Sequence, residues 1–206
     1  MNYELLKLLG ESVEATEEMK SHFKKKTDMH ISLVRKYAQK IMDLNFPEVD
    51  NKEVQEESDI HDHGKWADPE YEPYLHISWH YREKDKGREY KVSKEIKDQM
   101  DNATFHHITT HKHHPEYWDK TVTLASINRD NRDTPSDKIV NAVSMPLSHI
   151  ATMMADWLAM SEEKNTNIQY WIKDNVNIRW KFTKEQVLLV NKIADKVKVA
   201  LLLQEG

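Results

Sequence analysis

Apolar side chains return every three or four positions along the long segments of this chain, the period of a helix that buries one face. Leu33, Val34, Tyr37, Ala38, Ile41 and Leu44 make one such face, and Val187, Val190, Ile193, Ala194 and Val197 make another. Strand-like alternation is brief, and only 4 glycines and 6 prolines are present to break helices. The pattern predicts an all-α fold. At 206 residues, with 6 Trp, 8 Tyr and 4 Phe to fill a core, it predicts a single domain over 1–206.

Helix signals divide the chain further. A first helix is expected from about residue 3 to 25, its end marked by Lys24-Lys25-Lys26, cations suited to a helix C-terminus. A second is expected from Thr27 as N-cap to about Leu44, before Asn45-Phe46-Pro47. A third covers about 51–61, with Gly64 tightening the turn after it. Further helices are read to about His80, from about Ser93 to Thr110, and from Ser144 and Pro146 to about Met160. Between these, Glu83–Tyr90 reads as an exposed loop, and the polar run Arg129–Asp137 reads as a surface insertion. Thr183 with Gln186 three residues on is a capping-box spacing and opens the last helix.

Composition removes several functions. Cysteine is absent, which excludes disulfides, thiolate metal sites and a cysteine nucleophile, and fits a reducing cytoplasm. The formal charge is −5, from 30 Lys+Arg against 35 Asp+Glu, which is the wrong sign for coating duplex nucleic acid. No apolar run approaches the roughly 18 residues of a membrane span. The acidic opening MNYELLKLLGESVEATEE lacks a signal-peptide pattern, so a cytoplasmic protein is expected. With glycines at 10, 64, 87 and 206 only, no phosphate-cradling loop is present, which disfavours kinase-like chemistry.

The unusual count is 12 His. His61, His63, His76 and His80 form one window, and His106, His107, His111, His113 and His114 a denser one. In His61-Asp62-His63-Gly64-Lys65 an imidazole and a carboxylate share one short piece of chain, a donor pair suited to Mn, Fe, Co, Ni or Zn. Asp62 has two oxygens and can bridge two ions; a helix C-cap pair is the plainer reading of the doublet. His30 falls on the apolar face of its helix and points inward. Asp156 interrupts the apolar run Met153–Met160, where an unpaired carboxylate costs several kcal/mol. Either a metal or an Arg or Lys must face it.

The order His30, His61-Asp62, Asp156, with Gly64-Lys65 behind the doublet, resembles the HD-domain metal phosphohydrolase superfamily over about residues 27–160. His106-His107, His113-His114-Pro-Glu-Tyr-Trp118 and Met145-Pro146 through Met160 resemble a narrower family of HD-like proteins of bacteria and their phages. The resemblance implies an HD-like helical bundle in a bacterial cell or phage-infected host. It implies His30, His61, Asp62 and Asp156 as ligands of one divalent transition ion. A second ion would add His107 and one of His113 or His114, with His114 the choice made here and His80 and His106 behind them. Asp62 and Lys65 would be catalytic. The expected substrate is a small phosphorylated molecule, of which a nucleotide is the leading type, with no duplex nucleic acid and no membrane as partner; an oligomer is compatible with all of this.

The implied chemistry is hydrolysis of a phosphoester by metal-activated water. Asp62 or a histidine takes the proton, and Lys65 offsets charge on the equatorial oxygens. Two rivals follow from the same resemblance. A minority of HD-like proteins carry a di-iron oxygenase site, and a non-catalytic nucleotide- or protein-binding module would keep the ion as a structural staple.

Overall fold

The computed structural model describes residues 14–126 and 138–202, with side chains as far as 197. The polar run 129–137 and residues 3–13 of the expected first helix lie outside the described residues. Seven α-helices and one pair of two-residue strands make the described part all-α. They are α1 (Glu17–Asp43), α2 (Asn51–Asp59), α3 (Tyr71–Asp85), α4 (Lys94–Thr110), α5 (Leu147–Glu163), α6 (Ile168–Asn175) and α7 (Lys184–Leu202). None of the helices described is long and apolar enough to cross a membrane.

The expected break at Lys24–Thr27 does not exist. One helix runs from Glu17 to Asp43, and Thr27 is buried in its middle. No Gly or Pro lies in that stretch, and lysine is a good helix former, so three adjacent lysines carry no stop signal. The cap is Thr16 instead, whose Oγ1 accepts from Met19 N at 3.2 Å. The acidic helix after Pro47 begins where expected, with Asp50 accepting from Lys52 N at 2.9 Å. α3 runs to Asp85, past the expected end near His80, and α5 runs on to Glu163 rather than stopping near Met160.

The chain divides into two compact units. The first contains the described part of Met1–Met29 together with Asp62–His107. Its core is Met19 and Phe23 of α1, Leu75 of α3 and Tyr90, with Tyr71, Tyr74, Trp79 and Val92 packed around them. The second contains His30–His61 and the described part of Ile108–Gly206. Here α5 is central: Ile150, Ala151, Met153, Met154, Ala155 and Ala159 are fully buried. A helix apolar nearly all round must be surrounded, and α2, α6 and α7 pack against it, with Val34, Tyr37, Ala38 and Ile41 of α1 in the same core.

The approach to α5 is held by two devices. β1 (Val140–Asn141) pairs in parallel with β2 (Trp180–Lys181), Val140 opposite Trp180. The capping box at the head of α7 forms as the spacing predicts. Thr183 N donates to Gln186 Oε1 at 2.7 Å, and Gln186 N donates to Thr183 Oγ1 at 3.2 Å. The same Gln186 then donates through Nε2 to the carbonyls of Ala142, Val143 and Met145, at 3.2, 3.3 and 2.7 Å. Those carbonyls belong to the turn that launches α5, the helix carrying Asp156.

Candidate metal centre

In the second unit three donor atoms converge. His30 comes from α1 and Asp156 from the middle of α5, while His61 stands just beyond the end of α2. His30 Nε2 lies 3.1 Å from Asp156 Oδ1 and 3.2 Å from His61 Nε2, and His61 Nε2 lies 3.9 Å from Asp156 Oδ1. Both imidazoles are buried, and the Asp156 side chain is 14% exposed. Two imidazole nitrogens and a carboxylate oxygen that close repel one another unless a proton or a cation sits among them. Two of the three spacings, 3.1 and 3.2 Å, are those of neighbouring ligands around a cation, and the third is wider at 3.9 Å. Bonds of about 2.0–2.2 Å set neighbouring donors about 3 Å apart in an octahedron and about 3.4 Å apart in a tetrahedron. Three atoms mutually within 4.8 Å therefore make a ligand set of N and O donors suited to a borderline transition metal.

The environment is built to keep Asp156 ionised. Burial pushes its carboxyl up, but the hydrogen bond to His30 and the positive charge offered by His30, His61 and His113 outweigh that and hold it well below the ordinary 3.8. Among the described residues Asp156 thus faces histidines rather than an Arg or Lys. Behind His30, Glu163 Oε1 stands 2.6 Å from Nδ1, its side chain 3% exposed. His113 lies against His61 with ring centroids 4.2 Å apart, and His114 lies against His113 at 4.2 Å. Of the two histidines weighed from the sequence, His113 meets the ring of His61, and His114, the expected ligand, offers its own nitrogen to a candidate ligand group with His113.

The first unit gathers a second set. Asp62 is buried and takes a left-handed conformation, φ 59°, which Asp tolerates better than most residues. That turn starts the 3-10 helix His63–Trp66, with Lys65 N donating to Asp62 O at 3.0 Å. Lys65 Nζ donates to Asp62 Oδ2 at 2.5 Å and stands 5.0 Å over the ring of Tyr74. His107 Nε2 is 3.1 Å from Asp62 Oδ1, and its Nδ1 is 2.8 Å from Glu70 Oε2. The other oxygen of Glu70, which is fully buried, is 2.7 Å from His106 Nδ1. The edge of Tyr74 meets the His107 ring, centroids 5.5 Å apart.

The sequence-derived residues therefore fall into two groups: His30, His61 and Asp156 in one unit, and Asp62, Lys65 and His107 in the other. His61 and Asp62 are consecutive, and the chain passes from one unit to the other at the bond between them. His80 has its described ring contact with Tyr81, outside both groups, and His76 Nδ1 pairs with Tyr90 OH at 2.8 Å. Glu70 and Glu163 were not identified from the sequence. Glu163 had a usable signal, since it follows Asp156 by seven residues and so shares its helix face. Glu70 had none, standing in the Pro-flanked run Asp68–Pro73 with no periodic pattern.

No curated protein and no solved structure matches the chain. A family model does match, over residues 19–200, and that span includes every residue of both groups. The chain belongs to DUF5662, a family of unknown function.

Proposed function

We propose that the protein is a metal-dependent phosphohydrolase of the HD type, acting on a phosphoester of nucleotide class. One observation carries the reading: two buried imidazole nitrogens and an ionised carboxylate oxygen, from three separate parts of the chain, meet at 3.1, 3.2 and 3.9 Å. That arrangement costs free energy unless a proton or a cation sits among the donors, and N and O donors so placed favour a transition ion.

On this reading His30, His61 and Asp156 hold a divalent transition ion, and Asp62, the next residue after His61, completes the HD pattern. The bound ion would lower the pKa of a water molecule toward neutrality and polarise the phosphoryl oxygen. Asp62 accepts the proton released by the attacking water. Lys65, held on Asp62 at 2.5 Å, would offset charge on the equatorial phosphoryl oxygens. His107, which meets Asp62 at 3.1 Å within the first unit, would hold a second ion together with that carboxylate.

The test is phosphate release from mono-, di-, tri- and cyclic nucleotides by protein loaded with Mn, Co, Ni, Zn or Fe. Turnover of at least one class is expected, with loss of both activity and bound metal in Asp62→Ala. Retained turnover in that variant, or no turnover of any phosphoester, would remove the assignment.

A further inference from the structure

Each unit contains the same short chain of groups. In the second it is Glu163, His30, Asp156; in the first it is Glu70, His107, Asp62. In both, one carboxylate stands close behind Nδ1, at 2.6 and 2.8 Å, and another stands farther off Nε2, at 3.1 Å in each case. The short side has the length of a charge-assisted N–H···O bond, and the long side has that of neighbouring donors around an ion. Glu163 is 3% exposed and Glu70 0%, so neither has solvent to exchange for its imidazole.

We propose that Glu163 and Glu70 are positioning residues. Each fixes a proton on Nδ1 of its histidine and thereby leaves Nε2 to face Asp156 or Asp62. An ionised carboxylate only accepts, so the nitrogen that Glu163 or Glu70 contacts is a donor, and the proton that Nε2 shares with Asp156 or Asp62 in the metal-free protein is the one an ion displaces, leaving that lone pair to the ion. The same bond sets the ring plane and makes Nε2 more basic. Glu70 does this for two rings at once: Oε1 receives His106 Nδ1–H and Oε2 receives His107 Nδ1–H. That sharing predicts an asymmetry between the two glutamates. A glutamine at 163 still offers one oxygen to its one imidazole. A glutamine at 70 offers one oxygen and one NH2 to two imidazoles, so one ring must change tautomer.

The inference rests on the metal reading for its consequence, but its core is tested without metal. Imidazole 15N spectra of the metal-free protein at about pH 8, above the ordinary histidine pKa, should show a proton on Nδ1 of His30 and His107. Glu163→Leu should release His30, and Glu163→Gln should keep its Nδ1 proton. Glu70→Gln should alter either His106 or His107. In zinc competition titrations, Glu163→Gln and Glu163→Leu should weaken binding about 10- to 100-fold. An unprotonated Nδ1 in the wild-type protein, or unchanged tautomers and zinc affinity in the glutamate variants, would overturn the proposal. If the wild-type protein takes up no zinc, the proposed function fails and the tautomers still decide the role of the two glutamates. If a variant does not fold, the wild-type spectrum decides by itself.

Discussion

Replacing Gln186 tests whether the launch of α5 is held from the head of α7. Its side chain is buried, and it completes the capping box while donating to Ala142, Val143 and Met145 carbonyls, the last at 2.7 Å. The amide has two N–H protons, so the three carbonyls share two bonds. Each is worth about 1 kcal/mol net, and a buried carbonyl left without a donor costs about 1–3 kcal/mol. The lost acceptor for Thr183 N adds about 0.5–1 kcal/mol. Gln186→Ala should therefore lower stability by at least about 2.5 kcal/mol, read from urea unfolding followed by circular dichroism. Gln186→Glu separates the clamp from the cap. Glutamate is the usual partner in a capping box and keeps the acceptor for Thr183 N. It also turns a carboxylate oxygen toward three carbonyls, so it should be at least as harmful as alanine. A neutral Gln186→Glu, or a loss below about 1 kcal/mol in Gln186→Ala, would show that the carbonyl clamp contributes nothing.

Three other outcomes follow from particular contacts. Burial pushes His76 and His149 below the ordinary 6.5. The unfolded chain then binds more protons than the folded one, so their contribution to stability is present above about pH 6.5 and lost as pH falls below it. Urea midpoints should drop between about pH 7.5 and pH 5, and His76→Gln should flatten that drop; an unchanged slope would contradict the assignment. Trp180→Phe removes the indole donor that Glu116 receives at 2.8 Å and should cost about 1–3 kcal/mol. Trp171→Phe should cost less, because the buried indole nitrogen of Trp171 has no hydrogen-bond partner among the described residues; equal losses would contradict that difference. His22, which meets Trp79 edge-on at 6.0 Å, lies outside both ligand groups, so His22→Ala should leave metal uptake unchanged.

What was legible in the sequence was what a period or a fixed offset encodes. Thr183 and Gln186 were readable because a capping box spans three residues, although the carbonyls Gln186 clamps, more than forty positions earlier, were not. Asp156 was readable because a carboxylate inside an apolar helix demands a partner, and His30 because it shares a helix face with Val34 and Ile41. The Lys24–Lys26 run carries surface charge but no stop signal, because a Gly, a Pro or a cap is what ends a helix. α6 was missed because it has 8 residues, of which Ile168, Ile172 and Asn175 are buried, too few to show a period. The strands are two residues each and come from tertiary pairing. Among the histidines the choice between His113 and His114 was beyond reach, since adjacent residues outside a helix carry no facing information. Glu70 serves histidines 36 and 37 residues away, a pairing that only the fold creates.

The cation site proposed on His30, His61 and Asp156 is tested most directly by metal uptake. Elemental analysis after loading with manganese or nickel and removal of excess ion compares the wild-type protein with Asp156→Ala. At least one ion per wild-type chain is expected, with its loss from the variant while the helical circular-dichroism signal remains. A wild-type protein that retains no ion, or an Asp156→Ala variant that retains as much, would contradict it.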